Sequence, residues 1–414
     1  MRVIVLGGGV VGVTTAYQLQ KDGHEVVVLD RQSVTAGETS WGNAGMVAPG
    51  HSFVWSSPKA PMTLLKSLVQ KDQALRFKFS TDPRLYTWSW LFLLECTAEK
   101  ARRNTLLKHR LAAYSQSILQ EVIREDPVDY DRNDRGIIYF HRSQEALDRG
   151  VAQMKLLESD GQIIKVLTRD EVIRLDPSLA SAKDEIVGAI HCPTDETGDP
   201  AKFTRLLSAK VAARGGVIMT DTHIRGIETS GDKVTGVRTD KGSVHGDAYV
   251  LALGSYSPIL ARQIGIRLPI YPVKGYSLTI PIEDCPRPPN VAAVDEHNLV
   301  AFSRFGDRIR VTATAEFAGY DTSHKPSDFA FMKRVTQELY PDGGNYDRAE
   351  MWAGLRPMTP NNLPFFGRKK YQNLFLNTGH GHIGWTMSHG SARITADLVG
   401  GRTPAIPMDG LTAP

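Results

Sequence analysis

Residues 3–12 of the chain are VIVLGGGVVG, and this stretch decides the fold. The apolar, mostly β-branched residues 3–6 have the composition of a strand buried on both faces, and they lead directly into a G-x-G-x-x-G pattern. The segment 13–21 that follows has helical spacing and contains no helix breaker. A second strand at 25–29 then ends on Asp30. Strand, glycine loop, helix, strand and acid in this order predict an α/β unit of the Rossmann type.

The glycine loop also predicts a dinucleotide site at the start of the helix. The first glycine permits a tight turn, the second lets the backbone approach a pyrophosphate, and the third lets the helix pack close to the strand. The helix N-terminus favours the anion, and the acid at the end of the second strand is placed to accept hydrogen bonds from a ribose. The predicted cofactor contacts of this unit are Gly7, Gly9, Val10, Val11, Gly12, Asp30 and Arg31.

Further glycine-rich segments lie far from the first one in the sequence. Small residues at 40–46 would let the chain pass close to a ligand. A strand pair within 223–239 precedes a buried strand at 248–254 that ends in glycine, and a strand and glycine loop over 374–384 lead into a helix that ends near residue 399. Separated glycine segments of this kind are suited to a long cofactor. They add predicted contacts at Ser40, Asn43, Ala44, Gly45, Met46, Ile224, Ala252, Gly254, Gly379, Gly381, Gly384, Trp385 and Thr386.

Size and composition limit the classes of protein. With 414 residues the chain exceeds the ~100–200 residues usual for one domain, so we expect two domains or one large α/β domain with an insertion. The formal net charge of +4 suits an anionic cofactor or substrate and is too small to indicate nucleic acid binding. The scattered cysteines Cys96, Cys192 and Cys285 are expected to be reduced. No spacing of histidines or carboxylates indicates a metal site.

The chain resembles the D-amino acid oxidase-like flavoproteins, and within them the D-amino acid dehydrogenase branch. The resemblance rests on the loop 7–12 with Asp30, on residues 38–45, and on three later motifs, which are PVKGYS at 272–277, GLRPMTP at 354–360 and TGHGHIGWT at 378–386. It implies FAD as the cofactor and a discontinuous Rossmann-type FAD domain beside an α+β substrate domain built on an antiparallel sheet. The expected segments are 1–60, 199–263 and 351–414 for the FAD domain, and 61–198 and 264–350 for the substrate domain.

The resemblance also concerns how the flavin is attached. Some relatives link it covalently to a cysteine in the C-terminal glycine block or to a histidine in the early small-residue element. This chain has His380 but no cysteine in the first segment, and Gly42 stands where the histidine of the second would be expected. We therefore predict FAD held without a covalent bond, with His51 and His382 as remote alternatives for a linkage.

Oxidation of an amino acid requires an anchor for the carboxylate. Arg356 is the predicted anchor, because a guanidinium grips a carboxylate through two charge-assisted hydrogen bonds and similar family members use this arginine in that way. Tyr276 is predicted as a second hydroxyl on the carboxylate or as a wall of the pocket. Lys274 is a candidate for binding substrate or tuning the flavin, and His380 is a candidate donor near the flavin. The reaction implied is hydride transfer from the α-carbon to flavin N5, after which hydrolysis gives a 2-oxo acid and ammonia.

Several functions remain open from the sequence alone. One alternative is a sister enzyme that oxidises a cyclic or N-substituted amino acid, such as hydroxy-D-proline, D-proline or sarcosine. Others are a nicotinamide-dependent dehydrogenase and a non-catalytic FAD-binding subunit. The residues that would choose between these substrates are expected within 60–190 and 290–350, where we recognise no motif.

The electron acceptor and the cellular location are predicted only in outline. The resemblance favours an acceptor other than oxygen, such as a quinone or a partner electron carrier. No signal-peptide pattern is present, and the apolar stretch 85–96 is shorter than the ~20 residues of a membrane span. We expect a cytoplasmic protein, with peripheral contact at the inner face of the cell membrane as a hypothesis. Homo- or hetero-oligomerisation is left open.

Overall fold

The apolar residues at the N-terminus form the centre of a six-stranded sheet, as their composition predicts. The structure is a computed structural model, and it describes residues 1–62, 75–77, 81–283 and 285–412. The order of strands in this first sheet is β19 (Phe365–Arg368), β20 (Leu374–Thr378), β13 (Ala248–Leu251), β1 (Arg2–Leu6), β2 (Glu25–Leu29) and β9 (Val217–Met219). Neighbouring strands are parallel except for the antiparallel pair β19 and β20.

Helices cover one face of this sheet, and a small sheet covers the other. The helices of the first face are α1 (Val10–Lys21), α3 (Ala98–Glu125), α6 (Pro200–Ala213) and α9 (Gly384–Val399). Against the second face lie α7 (Ser257–Gln263) and the antiparallel strands β10 (Ile224–Ser230), β11 (Lys233–Thr239) and β12 (Gly242–Val244). The predicted Rossmann-type unit is confirmed, and the predicted start of α9 at residue 384 is also confirmed.

A second large sheet stands beside the first and is mostly antiparallel. Its main path runs β18 (Glu350–Met358), β14 (Tyr271–Pro281), β17 (Arg308–Phe317), β16 (Val300–Phe305), β15 (Ala292–Asp295), β5 (Ile137–His141), β7 (Gly188–Cys192) and β6 (Lys165–Thr168), and β4 (Leu75–Phe77) pairs with β17. The parallel pairs are β15 with β5 and β17 with β4. The predicted antiparallel second domain is therefore confirmed as a sheet.

Shorter elements complete the described part of the chain. The strands β3 (Met46–Val47) and β8 (Glu196–Thr197) pair with each other. The remaining helices are α2 (Pro83–Glu95), α4 (Gln144–Glu158), α5 (Arg169–Leu175) and α8 (Ala330–Leu339). Within the described residues, no helix has the length and apolarity needed to cross a membrane.

Two elements contact a different domain from the one to which the sequence assigned them. Helix α3, which falls in the predicted substrate segment 61–198, packs against α1 and α9 of the first domain, where the Ser115 hydroxyl accepts a hydrogen bond from the His389 N–H at 3.1 Å. Strand β18, of which all residues but Glu350 fall in the predicted FAD segment 351–414, pairs with β14 of the second sheet along its length. Apolar contacts and strand register, which the linear pattern does not reveal, decide these placements. Residues 63–74 and 78–80 of the predicted substrate segment lie outside the described residues.

Candidate active site

A long cavity of about 440 Å³ opens at the carboxyl ends of the central parallel strands. This is the position at which α/β sheets bind nucleotides. Most of the predicted cofactor contacts line it. They are Gly7, Gly9, Val10, Val11, Asp30, Arg31, Ser40, Asn43, Ile224, Ala252, Gly254, Gly381, Gly384 and Trp385.

The glycine loop has the close packing that its pattern predicts. A β-carbon added at Gly12 would lie 1.8 Å from the carbonyl oxygen of Gly7, so a side chain there would force α1 away from β1. Gly12 thus shapes the loop without lining the cavity. The N–H of Val10 donates to the Ser40 hydroxyl at 3.1 Å, which joins the first glycine segment to the second.

The acid after the second strand lies at the cavity wall. The Asp30 carboxylate accepts hydrogen bonds from the N–H of Gly8 at 2.6 Å and of Gln32 at 2.8 Å. Burial raises the pKa of Asp30, although these two hydrogen bonds oppose the rise. Beside it, Arg31 pairs with Glu38 at 2.6 Å and covers the ring of Tyr256. Five of these residues line the cavity, namely Asp30, Arg31, Gln32, Glu38 and Tyr256.

Five predicted cofactor residues either support the first cavity from outside or line the next one. Gly45 and Gly379 line neither cavity, and Thr386 donates to the Met46 carbonyl at 2.9 Å and so holds α9 to the segment after the small-residue element. Ala44 and Met46 belong to the second cavity described next. The second glycine segment therefore separates the two spaces.

The second cavity, of about 260 Å³, lies between this junction and the second sheet. It shares Thr39, Asn43 and Gly381 with the first cavity, so the two cavities adjoin at these residues. Strands β14, β17 and β18 form one wall, and the turns at 49–51 and 381–383 lie opposite. We call this space the substrate cavity.

Arg356 from β18 lines the substrate cavity and has no acidic partner among the described residues. Its Nη1 donates to the Thr314 carbonyl at 2.8 Å, and no carboxylate of the described chain lies within ion-pair distance. Burial lowers its pKa to about 10. A buried guanidinium is normally paired, so an unpaired one in a cavity indicates a site for an anionic ligand.

Local backbone structure creates the space for this guanidinium. Gly275 of β14 lies beneath it, and a β-carbon added there would be 2.6 Å from the Arg356 Cζ. Opposite Gly275, the register of β14 and β17 shifts, and Thr314 has a left-handed φ of 62°. This bulge directs the Thr314 carbonyl to the guanidinium. The glycine of the PVKGYS motif is thus explained by packing, because a larger residue at 275 would collide with the Arg356 guanidinium.

The other three predicted catalytic residues have different surroundings. Tyr276 lines the substrate cavity, but its hydroxyl donates to Glu316, which favours the pocket-wall role over a direct bond to substrate. Lys274 lines neither cavity, and its amine donates to the Ser323 carbonyl. His380 lines the first cavity, where its Nε2 lies 2.9 Å from the Ser391 hydroxyl and burial lowers its pKa to about 3.

The structure adds a basic and aromatic group that the sequence patterns did not assign to the site. His51, Trp55 and His382 line the substrate cavity, and Trp55 stacks on His382 with ring centroids 4.9 Å apart. Lys108 of α3 lies directly behind, with its Nζ 3.4 Å from the His382 Nε2. The sequence named the two histidines only as remote alternatives for a flavin linkage. Their position beside small-residue segments was the available signal, and Lys108 offered none.

The cavity residues fit FAD. Helices α1 and α9 both begin at the first cavity without a capping side chain from the N-cap residue. Apart from the N–H of Val10, which donates to Ser40, their N-terminal N–H groups are available to an anionic or electron-rich ligand. A β-carbon at Gly9 would meet only the Ser40 hydroxyl, at 3.5 Å. Buried polar atoms of Asn377 and Trp385, residues that line this cavity, have no hydrogen-bond partner among the described residues. These groups are consistent with a long, polar ligand along the cavity.

Comparison with known proteins gives the family. The model of the family described as "FAD dependent oxidoreductase" matches residues 2–398. D-amino acid dehydrogenase 2 of Mesorhizobium japonicum is 43% identical over 412 residues, covering 99% of each chain, and D-amino acid dehydrogenase of Granulibacter bethesdensis is 44% identical over 406 residues, covering 98% of this chain and 97% of that one. The resemblance predicted from the motifs is confirmed.

A solved structure shows the same fold. Glycine oxidase from Geobacillus kaustophilus superposes with a TM-score of 0.76 at 21% identity, covering 99% of this chain and 98% of that one. The predicted FAD cofactor is confirmed by the family match, and the nicotinamide alternative is set aside. The chain belongs to the FAD dependent oxidoreductase family.

Proposed function

We propose that the chain catalyses the FAD-dependent oxidative deamination of D-amino acids to 2-oxo acids and ammonia, with electrons passed to an acceptor other than oxygen. The observation that carries the proposal is the partly buried Arg356, which has no acidic partner among the described residues and lines a cavity that adjoins the predicted cofactor cavity. Names of the relatives support the D configuration and a dehydrogenase, since those proteins are called D-amino acid dehydrogenases.

Arg356 anchors the substrate carboxylate in this proposal. Its planar fork supplies two parallel N–H donors, and the low-polarity wall strengthens each charge-assisted hydrogen bond. Gly275 and the Thr314 carbonyl fix the guanidinium in place. Anchoring the carboxylate also sets the direction of the α-carbon and its hydrogen, which is the positioning that a hydride transfer requires.

The proposal assigns the cofactor to the first cavity. The N-terminus of α1 and Asp30 would hold the nucleotide half, and the N-terminus of α9 would stabilise negative charge on the electron-rich half. When bound, FAD supplies the two-electron acceptor for the α-carbon hydride. The chain's own residues contribute binding, orientation and exclusion of water.

The remaining walls of the substrate cavity predict neutral substrates. Val294, Leu299, Ala301 and Ala313 contribute apolar surface, and no acidic side chain of the described chain lines the cavity. A basic or acidic substrate side chain would therefore lose its hydration without gaining a counter-charge. We propose D-amino acids with small neutral side chains as the preferred class.

Anaerobic mixing with a substrate panel tests the proposed function. Purified holoenzyme is mixed with D- and L-forms of alanine and serine, with D-proline, hydroxy-D-proline and sarcosine, and with D-lysine and D-glutamate as charged members. We expect the neutral D-amino acids to bleach the flavin absorption band, and recovery of the band to be slow in air but fast with an artificial electron acceptor. Bleaching only by the prolines or sarcosine would instead support the N-substituted alternative, and bleaching by none would contradict the enzyme proposal.

Helix α2 is the part of the molecule that we propose contacts a membrane. Helix α2 has two apolar faces, of which one packs inward through Leu85, Trp88 and Phe92. The other presents Trp90, with 63% of its surface exposed, and Leu94, with 47% exposed. We propose that this outward face makes peripheral contact with the inner face of the cell membrane, where a lipid-soluble acceptor would be available.

A further inference from the structure

The basic group behind the substrate cavity is not used by the proposed anchor. Lys108 lies in the middle of α3 and is almost fully buried, with 1% of its surface exposed. Its Nζ lies 3.4 Å from the Phe53 carbonyl and 3.4 Å from the His382 Nε2. No carboxylate of the described chain pairs with it. A lysine in this position has an amine that can take a proton but no fixed counter-charge.

His382 connects this amine to the substrate cavity. Its ring lines the cavity, and its Nδ1 is buried without a hydrogen-bond partner among the described residues. Stacking on Trp55 at 4.9 Å and an edge contact with His51 at 5.9 Å fix the plane of the ring. One ring nitrogen therefore contacts the lysine, while the other has no partner among the described residues.

The charged neighbours that lower the pKa of His382 are all basic. One acid, Asp195, lies beside the turn at 49–51 and accepts a hydrogen bond from the Gly50 N–H at 3.3 Å. Lys108 comes from α3, His51 from the turn at 49–51, and Arg356 from β18. Tyr139 of β5 stacks on His51, and its hydroxyl donates to Asp195 at 3.4 Å. These groups cannot all carry a positive charge at close range, so the uncharged forms of lysine and histidine are favoured until an anion binds.

Burial also favours the uncharged forms of these lysine and histidine side chains, because it lowers their pKa values. It lowers the pKa of Lys108 to about 7, and the pKa of His51 to about 4 with a further contribution from Lys108. The pKa of His382 falls well below its ordinary value through burial and the nearby Lys108, His51 and Arg356. Near neutral pH the histidines are therefore neutral, and a large share of Lys108 is the free amine.

We propose that Lys108 and His382 form a proton relay that removes a proton from the ammonium group of the bound amino acid. The inference rests on the proposed function, because an amino acid in solution near neutral pH is a zwitterion whose nitrogen has no lone pair. Transfer of hydride from the α-carbon leaves an imine only if that lone pair is available. A relay that accepts the proton would make the zwitterion reactive.

The proton balance of the relay is complete within the site. The substrate N–H⁺ donates its proton to the His382 Nδ1, and the His382 Nε2–H proton passes to the amine of Lys108. The products are a neutral substrate amine, a neutral histidine in its other tautomer and a Lys108 ammonium that donates to the Phe53 carbonyl. No electron moves in this step. The new positive charge is offset by the substrate carboxylate held at Arg356, so binding of the anion and uptake of the proton support each other.

The pH dependence of kcat/KM tests the relay. We expect Lys108→Met and His382→Phe to lower kcat/KM for D-alanine about 100-fold at neutral pH. In both variants the deficit should shrink with unit slope as pH rises towards the pKa of the substrate's own ammonium group, because free solution then supplies the reactive amine. Lys100→Met, on the same helix, should keep the wild-type profile. A loss that is equal at every pH, or no loss, would overturn the relay.

A second measurement does not depend on turnover. Propionate has a carboxylate but no ammonium proton to deliver, so its binding to oxidised holoenzyme at mildly alkaline pH should draw a proton from the buffer onto Lys108. Calorimetric titration in buffers of different ionisation enthalpy measures that proton. We expect uptake in the wild type and in Lys100→Met, and none in Lys108→Met. Absence of uptake in the wild type would overturn the relay, whereas failure of the amino-acid panel with intact uptake would overturn only the proposed substrate.

Discussion

Arg356 shows how a single residue marks the site. Buried cations in proteins are nearly always paired, because removing a charge from water costs several kcal/mol. Here the only hydrogen-bond partner of the guanidinium in the described chain is the neutral Thr314 carbonyl. Its pKa falls because of burial, yet about 10 is still high enough to keep the charge near neutral pH. The substrate carboxylate would therefore supply the counter-ion that Arg356 lacks among the described residues.

Replacing the anchor tests this argument. Arg356→Met should raise KM for D-alanine by an amount equivalent to ~2–5 kcal/mol, since a buried charge-assisted contact is lost, while the flavin band stays unchanged. Steady-state kinetics with an artificial acceptor measure the change. Arg368→Met, an exposed arginine outside the substrate cavity, is the matched control and should leave KM unchanged. Equal kinetics in Arg356→Met and wild type would remove this residue from the site.

Sequence patterns predicted the residues that obey strong backbone rules. A glycine loop after a strand has a narrow range of uses, and residues of 7–12 and 378–384 line or support the first cavity, while Arg356 lines the substrate cavity. Their roles toward cofactor and substrate stay predictions. Lys108 could not be found in this way. It is one of many charged residues in the amphipathic helix 98–125, and only the packing of that helix against the turn at 49–51 and its approach to His382 show its burial.

At the level of elements, α2 shows what composition alone leaves undecided. The apolar stretch 85–96 suggested either a packed helix or a membrane-surface helix, and the structure divides these roles between two faces. Trp88 faces inward, and its indole donates to the Met358 carbonyl at 2.8 Å. Trp90 and Leu94 face outward. The two roles are therefore compatible in one helix.

A substitution on the outward face tests membrane contact. Trp90→Ser should weaken co-sedimentation with anionic phosphatidylglycerol vesicles about tenfold, because partial burial of a large apolar side chain contributes about 1.5 kcal/mol. Ile163→Ser, at an equally apolar position with 53% exposure far from α2 in sequence, serves as the control. Soluble activity with an artificial acceptor should be the same in all three proteins. Unchanged sedimentation of Trp90→Ser would contradict the contact.

At the scale of the whole molecule, the second sheet completes a site that the first one begins. Strands β14 and β18 of the second sheet carry Gly275 and Arg356, while the turn at 381–383 comes from the first domain. Thr39 bonds to the Leu355 carbonyl at 2.9 Å and so fixes the junction between them. Pairing of strands distant in sequence, such as β5 with β15, depends on tertiary contacts and was not predictable from local patterns.

Ligand-dependent unfolding tests whether the cofactor extends along the first cavity beyond its nucleotide half. A ligand that binds only the folded protein stabilises it by about 2.7 kcal/mol at 100 times its Kd. FAD at that excess should therefore raise the unfolding temperature of the apoprotein, and ADP at the same concentration should raise it less, because ADP can contact only the nucleotide half of the space. Differential scanning fluorimetry measures both shifts. Gly12→Ala should show a reduced shift with both ligands, since its β-carbon would displace the loop from Gly7. Equal stabilisation by ADP and FAD would contradict this extent, because the contacts around Thr39, Asn43 and Gly381 would then contribute nothing to cofactor binding.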